Sequence, residues 1–159
     1  MKFLDLLNEF AKMHSLVDAT PDEAGRLTLL FDNSIAVTSE IDLATNEVVF
    51  HAPVLTADEM LSCISNAETL KRIFSASLLG VTGHGLAIAL NPDDYNLIAW
   101  LRLPEATLTN VLDVEEVYLR FISVIPVWHD EFLNVQVTSS PDTQTGSCSA
   151  SEPLDWIKI

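Results

Sequence analysis

The sequence predicts an α+β fold in which a helix, a three-stranded antiparallel meander, a second helix, a β-hairpin and a third helix follow in order (α-β-β-β-α-β-β-α). Three observations predict it. Apolar residues recur at three- and four-residue steps over 2–16, 56–79 and 110–132, the period of one helical face. They alternate singly over 26–51 and 86–103, the period of a strand. Turn chemistry at Asp32-Asn33, at 42–46 and at Asn91-Pro92-Asp93-Asp94 joins successive strands closely enough for antiparallel pairing.

Phe3, Leu4, Leu6, Leu7, Phe10, Ala11, Met13 and His14 line one broad side of the first helix, opposite Asp5, Asn8, Glu9 and Lys12. That pattern suits a core-facing helix with His14 at its edge. Residues 18–25 carry Pro21 and Gly25 and read as a loop. Leu27, Leu29 and Phe31 then alternate, Asp32-Asn33 supplies a two-residue turn, and Ile35 and Val37 continue the alternation. Residues 47–51 form the third strand, with Pro53 expected to end it.

The second helix is the spine. Thr56 and Glu59 have the spacing of a capping box. Beyond them Met60, Ile64, Ala67, Leu70, Ile73 and Phe74 form one stripe, expected to run unbroken to Leu79. Leu61, Cys63, Leu78 and Leu79 lie off it, so the helix needs a second covering layer, and another copy of the chain can supply one. Gly80, Gly83 and Gly85 release the chain into the hairpin, where Leu86, Ile88 and Leu90 alternate up and Leu97, Ala99, Leu101 and Leu103 alternate back. Ile98 and Trp100 make that strand apolar on both sides, as expected of one covered twice, and Pro104 stops it. The last helix carries Val111, Val114, Tyr118, Phe121, Ile125, Trp128 and Phe132 as its stripe, with Asp113, Glu115 and Glu116 near its positive end and a kink expected at Pro126. Residues 1–133 form the predicted domain. Residues 134–159 are by composition a flexible polar tail, closed by the apolar Leu154, Trp156, Ile157 and Ile159, which are expected to dock on this chain or another.

Eight Lys and Arg against 23 Asp and Glu give a formal charge of −15. Phosphate backbones and anionic lipid surfaces are repelled by such a chain, which argues against nucleic-acid and membrane partners and favours a basic or amphipathic peptide. Cys63 and Cys148 make no disulfide framework, and no apolar run approaches a membrane span, so a cytoplasmic protein is expected. The four histidines have no metal-ligand spacing, Gly83-His84-Gly85 lacks the Lys-Ser/Thr of a phosphate loop, and no nucleophile elbow occurs. Catalysis has no seat in the sequence, and neither metal nor cofactor is expected. One alternative is kept: a small ligand-binding domain or enzyme with a pocket between sheet and helices around His51, His84 and Tyr95. An acidic nucleic-acid mimic would need carboxylates spaced like phosphates, which the sequence does not offer.

Several stretches resemble the class I type III secretion chaperones of the CesT/Tir family. Residues 22–29 (DEAGRLTL) resemble the loop into the first strand, and 70–79 (LKRIFSASLL) the end of the middle helix. Residues 86–90 through 99–104 resemble the closing hairpin, and 121–128 the aromatic end of the last helix. Where the family often has Asn near the end of the middle helix this chain has Ser77, and the tail has no general counterpart. The resemblance implies a homodimer that holds the N-terminal segment of a secreted effector unfolded and secretion-competent, without cofactor, and that meets the ATPase of the secretion apparatus. It places effector binding on the first helix and first three strands, with Leu4, Leu7, Phe10, Leu29, Phe31, Ile35, Val37, Val48 and Phe50 as candidates. It places dimer contact at Ile64, Leu78, Leu86, Ile98 and Trp100.

Overall fold

The computed structural model describes residues 3–14, 16, 21–23, 25–32, 34–79 and 85–134, with the side chains of Leu78 and Leu79 excepted. Gly80, Gly83, His84 and the tail beyond Asn134 lie outside the described residues. The elements are α1 (Phe3–Met13), β1 (Leu27–Phe31), β2 (Ile35–Asp42), β3 (Glu47–Leu55), α2 (Ala57–Ile64), α3 (Ala67–Leu79), β4 (Ala87–Leu90), β5 (Leu97–Pro104) and α4 (Val111–Leu133). The five strands form one antiparallel sheet in the order β1-β2-β3-β5-β4. Its two edges are therefore β1 and β4.

One side of the sheet is the floor of the core. Leu27 and Leu29 on β1, Val37 on β2, Val48 and Phe50 on β3, and Leu97 and Ala99 on β5 are all buried. Phe3 and Phe10 of α1 and Tyr118 of α4 close over them. The Phe3 and Phe50 rings meet edge to face with centroids 5.6 Å apart, and Phe10 stacks on Tyr118 at 4.9 Å. Such ring pairs add about 0.5–1.5 kcal/mol beyond the area they bury. The predicted stripe of α4 is buried from Val114 to Phe132, joined by Val117 and Val124.

The capping box expected at Thr56 and Glu59 forms, and α4 has one that the sequence reading did not name. Thr56 and Glu59 cap α2, and Asn110 and Asp113 cap α4. The Thr56 amide donates to Glu59 Oε2 at 2.7 Å, which holds that carboxyl below its ordinary range. Asp113 is lowered likewise, first by the Thr109 hydroxyl.

Four local expectations are corrected. The spine is two helices, because Ser65 closes α2 and Asn66 Oδ1 accepts from the amides of Glu68 and Thr69, the bonding of an N-cap for α3. The break resets the helical phase, so in α3 Thr69, Ile73 and Ala76 are buried and Phe74 faces solvent; in α2 Met60 and Cys63 are buried and Ile64 is exposed. Pro53 does not end β3. The β2 ladder stops at the Thr38–His51 pair, so Pro53 has a paired neighbour only in β5 and its missing amide proton breaks no ladder there. Phe31 pairs with Ile35, leaving three residues (32–34) in the first hairpin loop rather than two, with Asp32 at φ +49. Met13 is 60% exposed instead of joining the buried face of α1.

Candidate functional site

Among the described residues the sheet leaves apolar area unburied in two places, along its β1 edge and on its outer face. The first runs along the open edge at β1. Among the nine residues expected to bind an effector, Leu7, Phe10, Leu29, Val37, Val48 and Phe50 are core, whereas Leu4, Phe31 and Ile35 keep part of their surface. Leu30, on the side of β1 away from the core, is 52% exposed. Beside Ile35 opens a cleft of about 340 Å³, walled by Val54, Leu55, Ile125 and Pro126 and edged by Ser34, Glu59 and His129. His129 Nε2 stands 3.2 Å from Glu59 Oε1, tying α4 to the capped start of α2 on that cleft. An edge strand presents unpaired amides and carbonyls, so an extended peptide can add along β1 and drop alternate side chains into such apolar recesses.

The second surface is the outer face of the sheet. Thr28, Thr38, His51, Trp100 and Ala87 are register partners from one edge to the other. Pro53, Ile98 and Ala89 form the next such row. Ile98 and Trp100 are half-buried, so the second cover expected over β5 is incomplete in a single chain. Partial burial pushes the His51 imidazole below its ordinary value, which favours the neutral ring and keeps the row uncharged. Arg102 ends this face, paired to Glu47 at 3.2 Å and to Asp42 at 3.5 Å.

Among the residues expected at a dimer contact, Ile64 is exposed, Ile98 and Trp100 are half-buried, and Leu86 is completely buried. Leu86 therefore belongs to the protomer core, and the side chain of Leu78 lies outside the described residues. The sequence reading placed Phe74 on the buried stripe of the spine. It is 68% exposed on α3, and Asn66 was the signal that separates it from the buried phase of the helix.

Among the described residues the pocket envisaged around His51, His84 and Tyr95 is not assembled, and His84 lies outside them. His51 points to the outer face, Tyr95 is exposed on the β4–β5 loop, and the space between sheet and helices is filled by the core. Among the described residues no three His, Cys, Asp or Glu side chains are placed to hold a metal, and no helix is long and apolar enough to cross a membrane.

Comparison with known proteins fits this arrangement. The chain of the HopA1–SchA chaperone–effector complex superposes with a TM-score of 0.65 at 15% identity, over 79% of this chain and 91% of that one. A chain of the ExsC–ExsE complex gives 0.66 at 19% identity, over 81% and 95%. The structure of the Yersinia pestis type III secretion chaperone SycH with a stable fragment of YscM2 gives 0.57 at 18% identity, over 78% and 97%. These likenesses establish a common fold. No curated protein sequence matches the chain. The Tir chaperone protein (CesT) family matches over residues 5–123, from the first turn of α1 to the middle of α4. With well over half its length matched, the chain belongs to the Tir chaperone protein (CesT) family.

Proposed function

We propose that this protein is a cytoplasmic type III secretion chaperone that binds the N-terminal segment of a secreted effector and keeps it soluble and unfolded. Family membership carries the proposal. The surfaces agree with it physically: an open β1 edge, bordered by Leu30, Phe31 and Ile35, suits an extended client, and among the described residues no metal-binding cluster accompanies it. Binding, rather than catalysis or a cofactor, does the work in this reading. Leu7, Phe10, Leu29, Val37, Val48 and Phe50 support that edge from beneath. The charge of −15 speeds encounter with a basic client segment and keeps a protein with apolar surface in solution.

The working unit in this proposal is a homodimer, joined through Ile64, Phe74, Ile98 and Trp100 with Leu78 beside them, and it delivers its client to the ATPase of the secretion apparatus. Co-expression of the full chain with N-terminal segments of secreted proteins encoded nearby tests the reading. The expected result is a co-purifying complex in which the client segment resists aggregation, weakened by L30D or I35D. A protein that captures none of these segments would overturn it.

A further inference from the structure

The cleft beside Ile35 has a floor that belongs to the core. Val54, Leu55 and Ile125 are nearly sealed there, so the shape of the recess is fixed by packing. Its volume of about 340 Å³ is at the small end of ligand sites and suits one or two aliphatic side chains. Ile35 is the register partner of Phe31 at the end of β1, so the cleft opens where the edge strand stops. A chain lying along β1 reaches it without leaving the surface.

The charged groups at its rim sit together, and they are one cation short. Glu59 Oε2 is taken by the Thr56 amide at 2.7 Å and the Thr56 hydroxyl at 2.8 Å. Glu59 Oε1 meets His129 Nε2 at 3.2 Å, and Nδ1 of the same imidazole stands 3.6 Å from Asp130. Two carboxylates therefore share one imidazole. Among the described residues no Lys or Arg forms an ion pair with either of them. The Thr56 bonds hold the Glu59 carboxyl below its ordinary range, so the rim is anionic at neutral pH.

We propose that this cleft selects clients by a paired feature: an aliphatic side chain seated in the recess and a Lys or Arg beside it, whose cation replaces His129 on Glu59 Oε1. The inference rests on the effector-binding reading and gives it a sequence preference. An Asp or Glu at the same place in a client is repelled by Glu59, by Asp130 and by the charge of −15. His129 is a positioning residue, a ring on α4 that holds the Glu59 carboxylate until a stronger cation arrives. None of Ile64, Phe74, Ile98 and Trp100 lines this cleft, so the selection is separate from the dimer contact.

Two isosteric probes test this on the full 159-residue chain, isopentylguanidinium and the neutral isopentylurea. Methyl NMR follows Ile35, Val54, Leu55 and Ile125 as each probe is titrated. Both probes should shift these methyls, with the guanidinium about two- to fivefold tighter, the range of a solvent-exposed ion pair. That advantage should shrink with added salt. Glu59→Gln should bind the two probes alike, whereas His129→Gln should keep the advantage or enlarge it, because it removes a competitor for Glu59. Equal binding of the probes by the parent, methyls that do not respond, or an advantage that survives Glu59→Gln would overturn the inference. The parent comparison holds however well the variants fold. A client that co-purifies while the probes bind alike sinks this inference alone; a protein that captures no client sinks the reading beneath it.

Discussion

The hydroxyl oxygens of Tyr118 and Ser39 lie 3.2 Å apart in the core, and Ser39 in turn donates to the Leu27 carbonyl at 3.3 Å. That chain fixes the direction of each bond: Ser39 gives its proton to the backbone, so Tyr118 gives its own to Ser39. It ties α4 to β2 and β1 at the centre of the structure. Burial pushes the Tyr118 phenol far up, so it remains a donor at any working pH.

The relay predicts an asymmetry between two deletions. Tyr118→Phe leaves Ser39 bonded to Leu27 and is expected to cost about 1 kcal/mol, whereas Ser39→Ala strands a buried phenol and costs about 1–3 kcal/mol. Urea unfolding of both variants and of the double variant measures this. The double variant should fall well short of the sum.

The capping box on α2 should titrate. Thr56→Ala is expected to lower stability by about 0.5–2 kcal/mol. Because the folded-state pKa of Glu59 lies below its ordinary 4.5, the carboxylate's contribution is complete above that value and is lost as pH falls through the lower folded value. Glu59→Gln should therefore be less stable than the parent at pH 7 and converge with it as the pH falls below the folded-state value of Glu59. Denaturation midpoints across that range measure the convergence.

His51 shifts in the same direction as Glu59, although the form its site favours is the neutral one. Its pKa is lowered from 6.5, chiefly by desolvation, so the unfolded chain binds its proton more readily than the folded one. Stability then rises with pH between the folded value and 6.5, and falls on acidification through that window. His51→Phe should flatten this part of the profile. An NMR titration of the His51 ring should read below 6.5 in the folded protein.

Exposed apolar positions on α3 and β5 predict the oligomeric state. Light scattering on the parent should give about twice 17.5 kDa, and Phe74→Glu or Trp100→Glu should shift it toward one copy without loss of helical circular dichroism. A parent that is monomeric at micromolar concentration would remove the dimer from the proposal.

Much of the molecule is legible in local chemistry. Thr56 with Glu59 marks the start of α2, and Asn110 with Asp113 caps α4 in the same way. Alternation of Leu97, Ala99 and Leu101 against Ile98 and Trp100 identified a strand with two apolar sides, and the structure buries the first set and leaves the second partly open. The spine was misread because a stripe counted across Ser65-Asn66 assumes a constant 100° step, and one capping Asn resets it. Pro53 was misread because whether a proline can sit in a strand depends on which neighbour that strand has at that point.

By itself the sequence determined the order of helices and strands and, outside the broken spine and the end of α1, the face each would bury, because those follow from periodicity and from caps and turns that act within a few residues. Only the tertiary structure decided which apolar residues stay outside. Leu29 and Leu30 are neighbours of the same kind, yet one is core and the other half exposed. Leu86 and Ile98 were expected at the same contact, yet one is sealed and the other open. The reason is geometric: burial depends on what other segments lay over a position, and a binding surface is the remainder left when those segments run out.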